Sequence, residues 1–414
     1  MIEKNNYTNQ LPKDWKWIKL GEICHTTSGG TPSRSELKYY DGNIPWVKSG
    51  ELDKGLITDT EEKISEEAIK NSSAKVFPKG TLLIALYGAT IGKLAFLGVD
   101  AATNQAICGI YKNENIDSHF LYNYLFYKKQ KLVNQGIGGA QPNISQTILK
   151  NLDLPLPPKP TQAAIVSKIE ELFSELDKGI ENLHTAQQQL KTYRQSVLKW
   201  AFEGKLTNEN VKEGELPKGW KWVKIADISK VVRGGSPRPA GDPKYYDGNI
   251  PFLKVADVTK DESMFLTTYK YTIKEAGLHK TRQIKPNTLL LSNSGATLGV
   301  PKICMIDATM NDGIAAFLEL DKRSNHFLYY FWLSKTRELR NINMGAAQPN
   351  LNTDIIRDYN VPYCSFEEQH NIVQAIESRL SVADKMEESI TQSLQQSEAL
   401  RQSILKKAFE GRLI

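Results

Sequence analysis

Tyr39-Tyr40-Asp41-Gly42-Asn43-Ile44-Pro45 recurs unchanged as Tyr245-Tyr246-Asp247-Gly248-Asn249-Ile250-Pro251, 206 residues later. The recurrence extends in both directions. Leu11-Pro12-Lys13-Asp14-Trp15-Lys16-Trp17 returns as Leu216-Pro217-Lys218-Gly219-Trp220-Lys221-Trp222, 205 residues on. Gly88-Ala89-Thr90-Ile91-Gly92 returns as Gly295 to Gly299, and Ala140-Gln141-Pro142-Asn143 as Ala347 to Asn350, both at 207. Ala201-Phe202-Glu203-Gly204-Lys205-Leu206 returns as Ala408 to Leu413, again at 207. The order is kept and the offset drifts by only two residues, which chance does not produce. The chain is two copies of a unit of roughly 205 residues, too long for a solenoid repeat.

Each copy divides in two. The first part, 11–155 and 216–362, is rich in Gly, Pro, aromatic and β-branched residues, with turn signals such as Asp41-Gly42 and Asp247-Gly248. It reads as a mainly-β globular domain with a few helices. One helix is expected over Ser118–Gln135, with Phe120, Leu121, Tyr124, Leu125 and Leu132 on one side, and its copy over Asn325–Asn341.

The second part follows Leu154-Pro155-Leu156-Pro157-Pro158-Lys159-Pro160, read as a stiff, non-helical linker. From Thr161 to Phe202, Ile169, Leu176, Leu183, Leu190 and Val197 recur every seven residues, with Ile165, Leu172 and Tyr193 at the interleaved position. Ser365–Phe409 repeats the seam with Ile376, Ala383, Ile390 and Ile404, plus Ile372, Met386 and Leu400. Arg379, Ser393 and Ser397 weaken it. These are heptad seams on long helices. At ~1.5 Å per residue each spans about 60 Å. A long apolar stripe needs a partner, and the other copy supplies one. The expected fold is therefore α+β, with an internal pseudo-two-fold repeat. Two mainly-β domains are separated by two long helices forming an antiparallel coiled coil.

The 414 residues suit about two to four domains. With 40% hydrophobic and 24% charged residues, the composition excludes disorder, collagen and a polytopic membrane protein as descriptions of the whole. The formal charge of +6 is compatible with a nucleic-acid partner without demanding one. Thr81–Val99 is apolar enough to suggest a membrane span. It contains Tyr87, Gly88, Thr90, Gly92 and Lys93, and its copy Thr288–Ile306 contains Ser292, Asn293, Ser294 and Pro301, so buried strands joined by a turn are expected. The N-terminal residues Met1 to Asn6 show no signal-peptide core, and Cys24, Cys108, Cys304 and Cys364 are scattered, so a reducing cytoplasm is the expected setting.

No metal-ligand or nucleotide-binding motif appears in the sequence. Gly136-Ile137-Gly138-Gly139 looks like a phosphate loop, but its counterpart Asn343-Met344-Gly345-Ala346 loses the first Gly, so it reads as a turn. Asn360-Val361-Pro362-Tyr363 superficially resembles the Asn-Pro-Pro-Tyr of amino-methyltransferases, but its copy is Asp153-Leu154-Pro155-Leu156. Other segments suit phosphate contact: Gly29-Gly30-Thr31-Pro32-Ser33-Arg34, Gly234-Gly235-Ser236-Pro237-Arg238, and the pair Lys48 and Lys254. The same Gly and Pro residues equally well make simple turns. Tyr39, Tyr40, Tyr245 and Tyr246 read as core packing before base stacking. The copies diverge most between Glu51–Lys79 and Asp257–Lys285. The first carries Lys63, Asn71, Ser72 and Lys75; the second carries Thr267, Tyr269, Tyr271, Lys280 and Arg282. Such side chains can read base edges, and ordinary drift of a surface loop is the other reading.

Taken in order, these motifs resemble the specificity subunit of Type I restriction–modification enzymes. The resemblance covers the whole chain: Leu-Pro-x-x-Trp-x-Trp, Gly-Gly-[TS]-Pro, Tyr-Tyr-Asp-Gly-Asn-Ile-Pro, Gly-Ala-Thr-x-Gly, Gln-Pro-Asn, and helices closing with Ala-Phe-Glu-Gly-[KR]-Leu, twice over. It implies target-recognition domains over 1–155 and 207–362, and spacer helices over 156–206 and 363–414. It implies a non-catalytic chain that binds a bipartite, asymmetric site on double-stranded DNA and docks two methyltransferase subunits, joined by restriction subunits. Adenosylmethionine, ATP and Mg²⁺ would then belong to those partners, and this chain would hold no cofactor and no metal. The candidate DNA-contacting residues are Ser33, Arg34, Lys48, Lys63, Asn71, Ser72, Lys75, Ser236, Arg238, Lys254, Tyr269, Tyr271, Lys280 and Arg282. The alternatives are a methylation-only or Type II-like system, a self-contained DNA enzyme, and a coiled-coil adaptor that binds no DNA.

Overall fold

The structure is a computed structural model that describes residues 11–135, 143–208, 210–212, 214–295, 297–342 and 351–414. The Gly136–Gly139 and Asn343–Ala346 turns and most of both Gln-Pro-Asn segments lie outside these residues. The chain forms two compact units, Met1–Leu183 with Gln392–Ile414, and His184–Thr391.

In the first unit a five-stranded sheet runs in the order Thr26–Ser28, Ile107–Ile110, Leu82–Ala85, Leu94–Leu97, Leu56–Ile57. A four-stranded sheet runs Glu62–Ile64, Ile44–Val47, Ala101–Thr103, Val76–Phe77. Lys16–Lys19 pairs with Asp153–Leu156. The second unit repeats this order. Its five strands are Lys230–Arg233, Ile314–Leu318, Thr288–Ser292, Pro301–Cys304 and Phe265–Leu266. Its four are Tyr271–Ile273, Tyr246–Leu253, Ala308–Met310 and Arg282–Ile284, and Lys221–Lys224 pairs with Asn360–Tyr363.

The motifs explain the sheets. The stretch Thr81–Val99 is two antiparallel strands in which Leu83 faces Ala95. Leu82–Ala85 is buried at every position, so this run is apolar on both faces rather than alternating. Asp-Gly-Asn-Ile-Pro keeps its glycine because a Cβ on Gly42 would lie 2.3 Å from the Ile64 carbonyl oxygen, and one on Gly248 2.4 Å from that of Ile273. Among the described residues no helix is long and apolar enough to cross a membrane.

The expected head helices are present as Ser118–Gln135 and Asn325–Ile342. The long helices are Lys159–Phe202 and Phe366–Phe409. The stiff linker is a correction. Asp153–Leu156 is a strand, and Pro160 sits in the first helical turn, where its missing N–H has no intrahelical partner to lose.

Both units contain antiparallel packing of the long helices. In the first, Arg401 reaches Asp177 and lies 4.7 Å over the Phe173 ring, while Ile165 and Ile169 share a core with Ile404, Leu405, Ala408 and Phe409. In the second, Arg194 binds Asp384 at 2.5 Å and Glu387 at 2.7 Å, while Val197, Leu198, Ala201 and Phe202 share a core with Ile372 and Ile376. Along the seam Ile169, Leu190, Val197, Ile376, Ala383 and Ile404 are buried, and Leu176, Leu183 and Ile390 are half-buried. Tyr193, Met386 and Leu400 are exposed (38%, 52% and 51%), contrary to their interleaved assignment. An α-helix drifts ~20° per heptad from a 3.5-residue stripe, so a strict seven-residue count departs from the buried face over several heptads.

The repeated Ala-Phe-Glu-Gly ending is a docking device. Phe409 packs edge-on to Phe120 (5.2 Å) and Tyr124 (4.9 Å), and Gly411 sits against Pro12. In the other unit Phe202 packs on Phe327 (5.2 Å) and Phe331 (5.3 Å), and Gly204 sits against Pro217. The glycines adopt φ of +69° and +77°, the left-handed conformation that ends a helix.

Candidate nucleic-acid interface

The candidate residues gather on and around the four-stranded sheet of each unit. The Gly-rich loop lies close to it. In the first unit a Cβ on Gly29 would strike Thr103 and one on Gly30 would strike Ser73, and the Trp46 indole N–H donates to the Gly30 carbonyl at 3.1 Å. In the second, Gly234 abuts Met310 and Asn311, and Gly235 abuts Lys280 and Thr281. The tyrosines are structural: the Tyr40 and Tyr246 hydroxyls each donate at 2.7 Å to the carbonyls of Pro32 and Pro237.

Strand register aligns the two copies where a fixed offset does not. Trp46 faces Ala102 on one side and Glu62 on the other; Phe252 faces Thr309 and Tyr271. Glu62 and Tyr271 therefore occupy one site. Phe77 faces Ala101 and Ile284 faces Ala308, so counting back along the edge strand places Lys75 where Arg282 stands.

A buried acid anchors this region in both copies, and sequence reading passed over it. Glu51 accepts the backbone N–H of Lys48 at 2.9 Å and of Glu61 at 3.1 Å. Asp257 accepts the same pair of bonds from Lys254 at 2.8 Å and Lys270 at 3.1 Å. Both acids are 6% exposed. An acid three residues after the shared Lys, the spacing of a helix-capping box, is the signal that marks them.

Lys48 and Arg34 converge on one carboxylate: Lys48 binds Glu61 at 2.8 Å and Glu62 at 3.1 Å, and Arg34 binds Glu62 at 2.6 Å. The Arg34 guanidinium also lies 4.3 Å over the Tyr40 ring. The hydrogen bond from Arg34 holds the Glu62 carboxyl below its usual range. Lys254 instead lies 3.5 Å over the Tyr271 ring, with Lys270 5.5 Å from the same ring.

The others are placed as follows. Ser33 bonds Ser35, and Lys63 pairs with Asp59 at 3.4 Å. Asn71 ends the short helix Glu66–Lys70, and the Ser72 hydroxyl donates to the Ala68 carbonyl at 2.6 Å, closing the same turn. Lys75 donates to the Thr27 hydroxyl at 2.9 Å. Ser236 donates to Asp312 at 2.6 Å, and Arg238 lies 3.8 Å from that carboxylate. Lys280 lies 4.3 Å over Tyr245 and its ammonium pulls that phenol below the usual range. Tyr269 and Arg282 are exposed, with no side-chain partner among the described residues. Arg34 and Lys48 thus meet at Glu62, Lys254 meets the Tyr271 ring, and Ser236 and Arg238 meet at Asp312.

Among the described residues no group of His, Cys, Asp and Glu is arranged to hold a metal. All four cysteines are buried without disulfides, and burial pushes the Cys108 and Cys364 thiols up to about 12, which keeps them from serving as nucleophiles.

Comparison with known proteins agrees with the duplication. Residues 12–185 and 217–396 each match the family described as the Type I restriction modification DNA specificity domain. The specificity subunit of the Type I restriction enzyme MjaIX from Methanocaldococcus jannaschii is 27% identical over 394 residues, covering 90% of this chain and 89% of its own. A chain solved in work on complex assembly and conformational transition of the type I R-M system superposes with a TM-score of 0.72 at 21% identity, covering 98% of this chain and all of the other. The crystal structure of the HsdS subunit from Thermoanaerobacter tengcongensis gives 0.65 at 20% identity, with both chains fully covered. At these identities the structural likeness is one of fold.

Proposed function

The chain belongs to the Type I restriction modification DNA specificity family, and we propose on that footing that each of its heads reads one half of a bipartite, asymmetric DNA site. The chain is the non-catalytic DNA-recognition subunit. In this reading residues 1–155 and 207–362 are the target-recognition domains, and 156–206 and 363–414 are the spacer. The spacer docks two methyltransferase subunits, and restriction subunits join that core. Adenosylmethionine, ATP and Mg²⁺ are carried by those partners, and the assembly works on DNA in the cytoplasm.

One observation carries the reading: the same sheet scaffold occurs twice, and the residues that differ between copies stand at matching register positions on or beside the same strands. Glu62 is replaced by Tyr271, and Lys75 by Arg282, without disturbing strand order. Two scaffolds of one shape with different side chains suit two half-sites of different sequence. Arg, Lys and Tyr projecting from a sheet can contact base edges and phosphates.

The test is domain exchange. Residues 11–155 are replaced with the corresponding domain of a relative, and the chain is expressed with its methyltransferase subunits. Methylome sequencing is expected to show one half of the methylated motif changed, with the other half and the gap intact. A change in both halves, or in neither, overturns the assignment of one half-site to each head.

A further inference from the structure

Beyond the buried acid the two heads differ in local charge. Glu51 in the first accepts the N–H of Glu61, and the chain continues into Glu62. Asp257 in the second accepts the N–H of Lys270, and the chain continues into Tyr271. The acid and its acceptor bond fix the alignment, so Glu61 stands where Lys270 stands and Glu62 where Tyr271 stands. In the first head Lys48, Arg34 and Lys54 are paired with Glu61, Glu62 and Glu51, so the cluster is neutral. In the second Lys254 and Lys270 face Asp257 alone, a net charge of +1.

The partners of the lysines differ in kind. Lys48 is bound to two carboxylates, at 2.8 and 3.1 Å. Lys254 lies 3.5 Å over the half-buried Tyr271 ring, and neither it nor Lys270 has an acidic side-chain partner among the described residues. A ring face steadies an ammonium without neutralising it, so the cation keeps its charge for an incoming anion. A phosphate approaching Lys48 has to displace Glu61 and Glu62 and meets their like charge.

Resting on the DNA-binding reading above, we propose that the heads hold DNA unequally. Lys254 and Lys270, both set against Tyr271, form a backbone-phosphate site in the second head, and the equivalent place in the first head, occupied by Glu61 and Glu62, takes no phosphate. The second head anchors the duplex. The first head discriminates with little backbone affinity of its own at this place.

The experiment uses the full chain assembled with its methyltransferase subunits. The probe is a labelled duplex carrying the sequence that this complex methylates in cells. Binding is titrated across salt concentrations, because each neutralised phosphate adds about 0.9 to the slope of log K against log salt. Lys270→Glu with Tyr271→Glu gives the second head the acids of the first. This variant is expected to flatten the slope by about 1 and to weaken binding about 10-fold at physiological salt. Glu61→Lys with Glu62→Tyr makes the reverse exchange and is expected to steepen the slope by about 1 and tighten binding. Thermal melting checks that each variant is folded. Unchanged slopes in folded variants overturn the proposal. Should the second-head variant fail to fold, the first-head variant decides alone, and an unchanged slope there also overturns it. A parent complex with no salt-dependent binding to its own methylated sequence refutes the DNA reading itself. Parent binding with unaltered variant slopes refutes only the asymmetry.

Discussion

Phe202 closes the helix that follows the first head, yet its ring packs among Phe327 and Phe331 of the second. Phe409 closes the helix that follows the second head, and packs among Phe120 and Tyr124 of the first. Each compact unit thus holds one head, the start of that head's own helix and the end of the other copy's. Order along the chain and membership of a core do not coincide. The reason is local: the Ala-Phe-Glu-Gly ending and the Leu-Pro-x-x-Trp start form one contact, Gly204 on Pro217 and Gly411 on Pro12. Duplication kept both halves of that contact, and the two helix ends were exchanged between copies.

The strongest way to break this comparison is to remove one ring at a time. Phe409→Ala is expected to destabilise the first unit by about 3–5 kcal/mol, the usual cost of deleting a buried phenyl ring. Phe202→Ala is expected to do the same to the second. Hydrogen exchange read strand by strand distinguishes them. Protection in Leu82–Ala85 should fall with Phe409→Ala, and protection in Thr288–Ser292 with Phe202→Ala. Equal loss in both units from either substitution means that the chain unfolds as one cooperative body.

Much of this fold was legible in the residues. The doubled motifs mark the same strands and turns in both heads, and apolar periodicity places the helices. The failures have physical causes. Prolines 155, 157, 158 and 160 suggested a linker, but Pro155 lies in a strand and Pro160 occupies a helical turn that tolerates it. Tyr193, Met386 and Leu400 fit a seven-residue count, but a helix of about 3.6 residues per turn drifts from that count and leaves them exposed. At the candidate interface the cations and Tyr271 were visible but the pairing was not, because Glu62 lies 16 residues from Trp46 while Tyr271 lies 19 from Phe252. Three extra residues in the second copy hide the equivalence from any fixed offset, and only strand register restores it. Glu51 and Asp257 open the most divergent segment, so two buried anchors were read as part of a variable surface.

A smaller effect sharpens the contrast at the sheet edge, where Lys75 and Arg282 share a position. Arg282 is exposed with no side-chain partner among the described residues, while Lys75 donates to Thr27. Arg presents a fork that matches two acceptors on guanine, and Lys a point charge. Arg282→Ala is expected to cost about 1–3 kcal/mol and to relax specificity at one base pair of one half-site. Lys75→Ala is expected to cost less, uniformly across sequences. Methylation rates on duplexes carrying single-base changes check both. Uniform weakening by Arg282→Ala would make that residue a phosphate contact.

The smallest expected effect concerns a buried difference. Asn293 and Leu86 have the same backbone environment. Asn293 N–H donates to the Gly313 carbonyl at 2.9 Å and its own carbonyl accepts from Leu351 at 2.7 Å. Leu86 makes the matching bonds, to Ala106 and from Ile144, both at 2.8 Å. The first head fills this position with an apolar side chain, 4% exposed. The second fills it with an amide, fully buried, whose oxygen and nitrogen both lack hydrogen-bond partners among the described residues. A buried polar group left unpaired costs about 1–3 kcal/mol, partly offset here by the extra volume that leucine brings into a packed site. Asn293→Leu is therefore expected to stabilise the second unit by about 1 kcal/mol, a rise of roughly 2–4 °C in its melting temperature for a unit of this size. Leu86→Asn is expected to lower the first unit by a comparable or larger amount, since it both strands an amide and removes apolar packing. Calorimetry of the two variants reads both signs. A melting temperature that stays level or falls in Asn293→Leu means that the amide has a partner in solution, and the second head then keeps a polar contact at a place where the first has only packing.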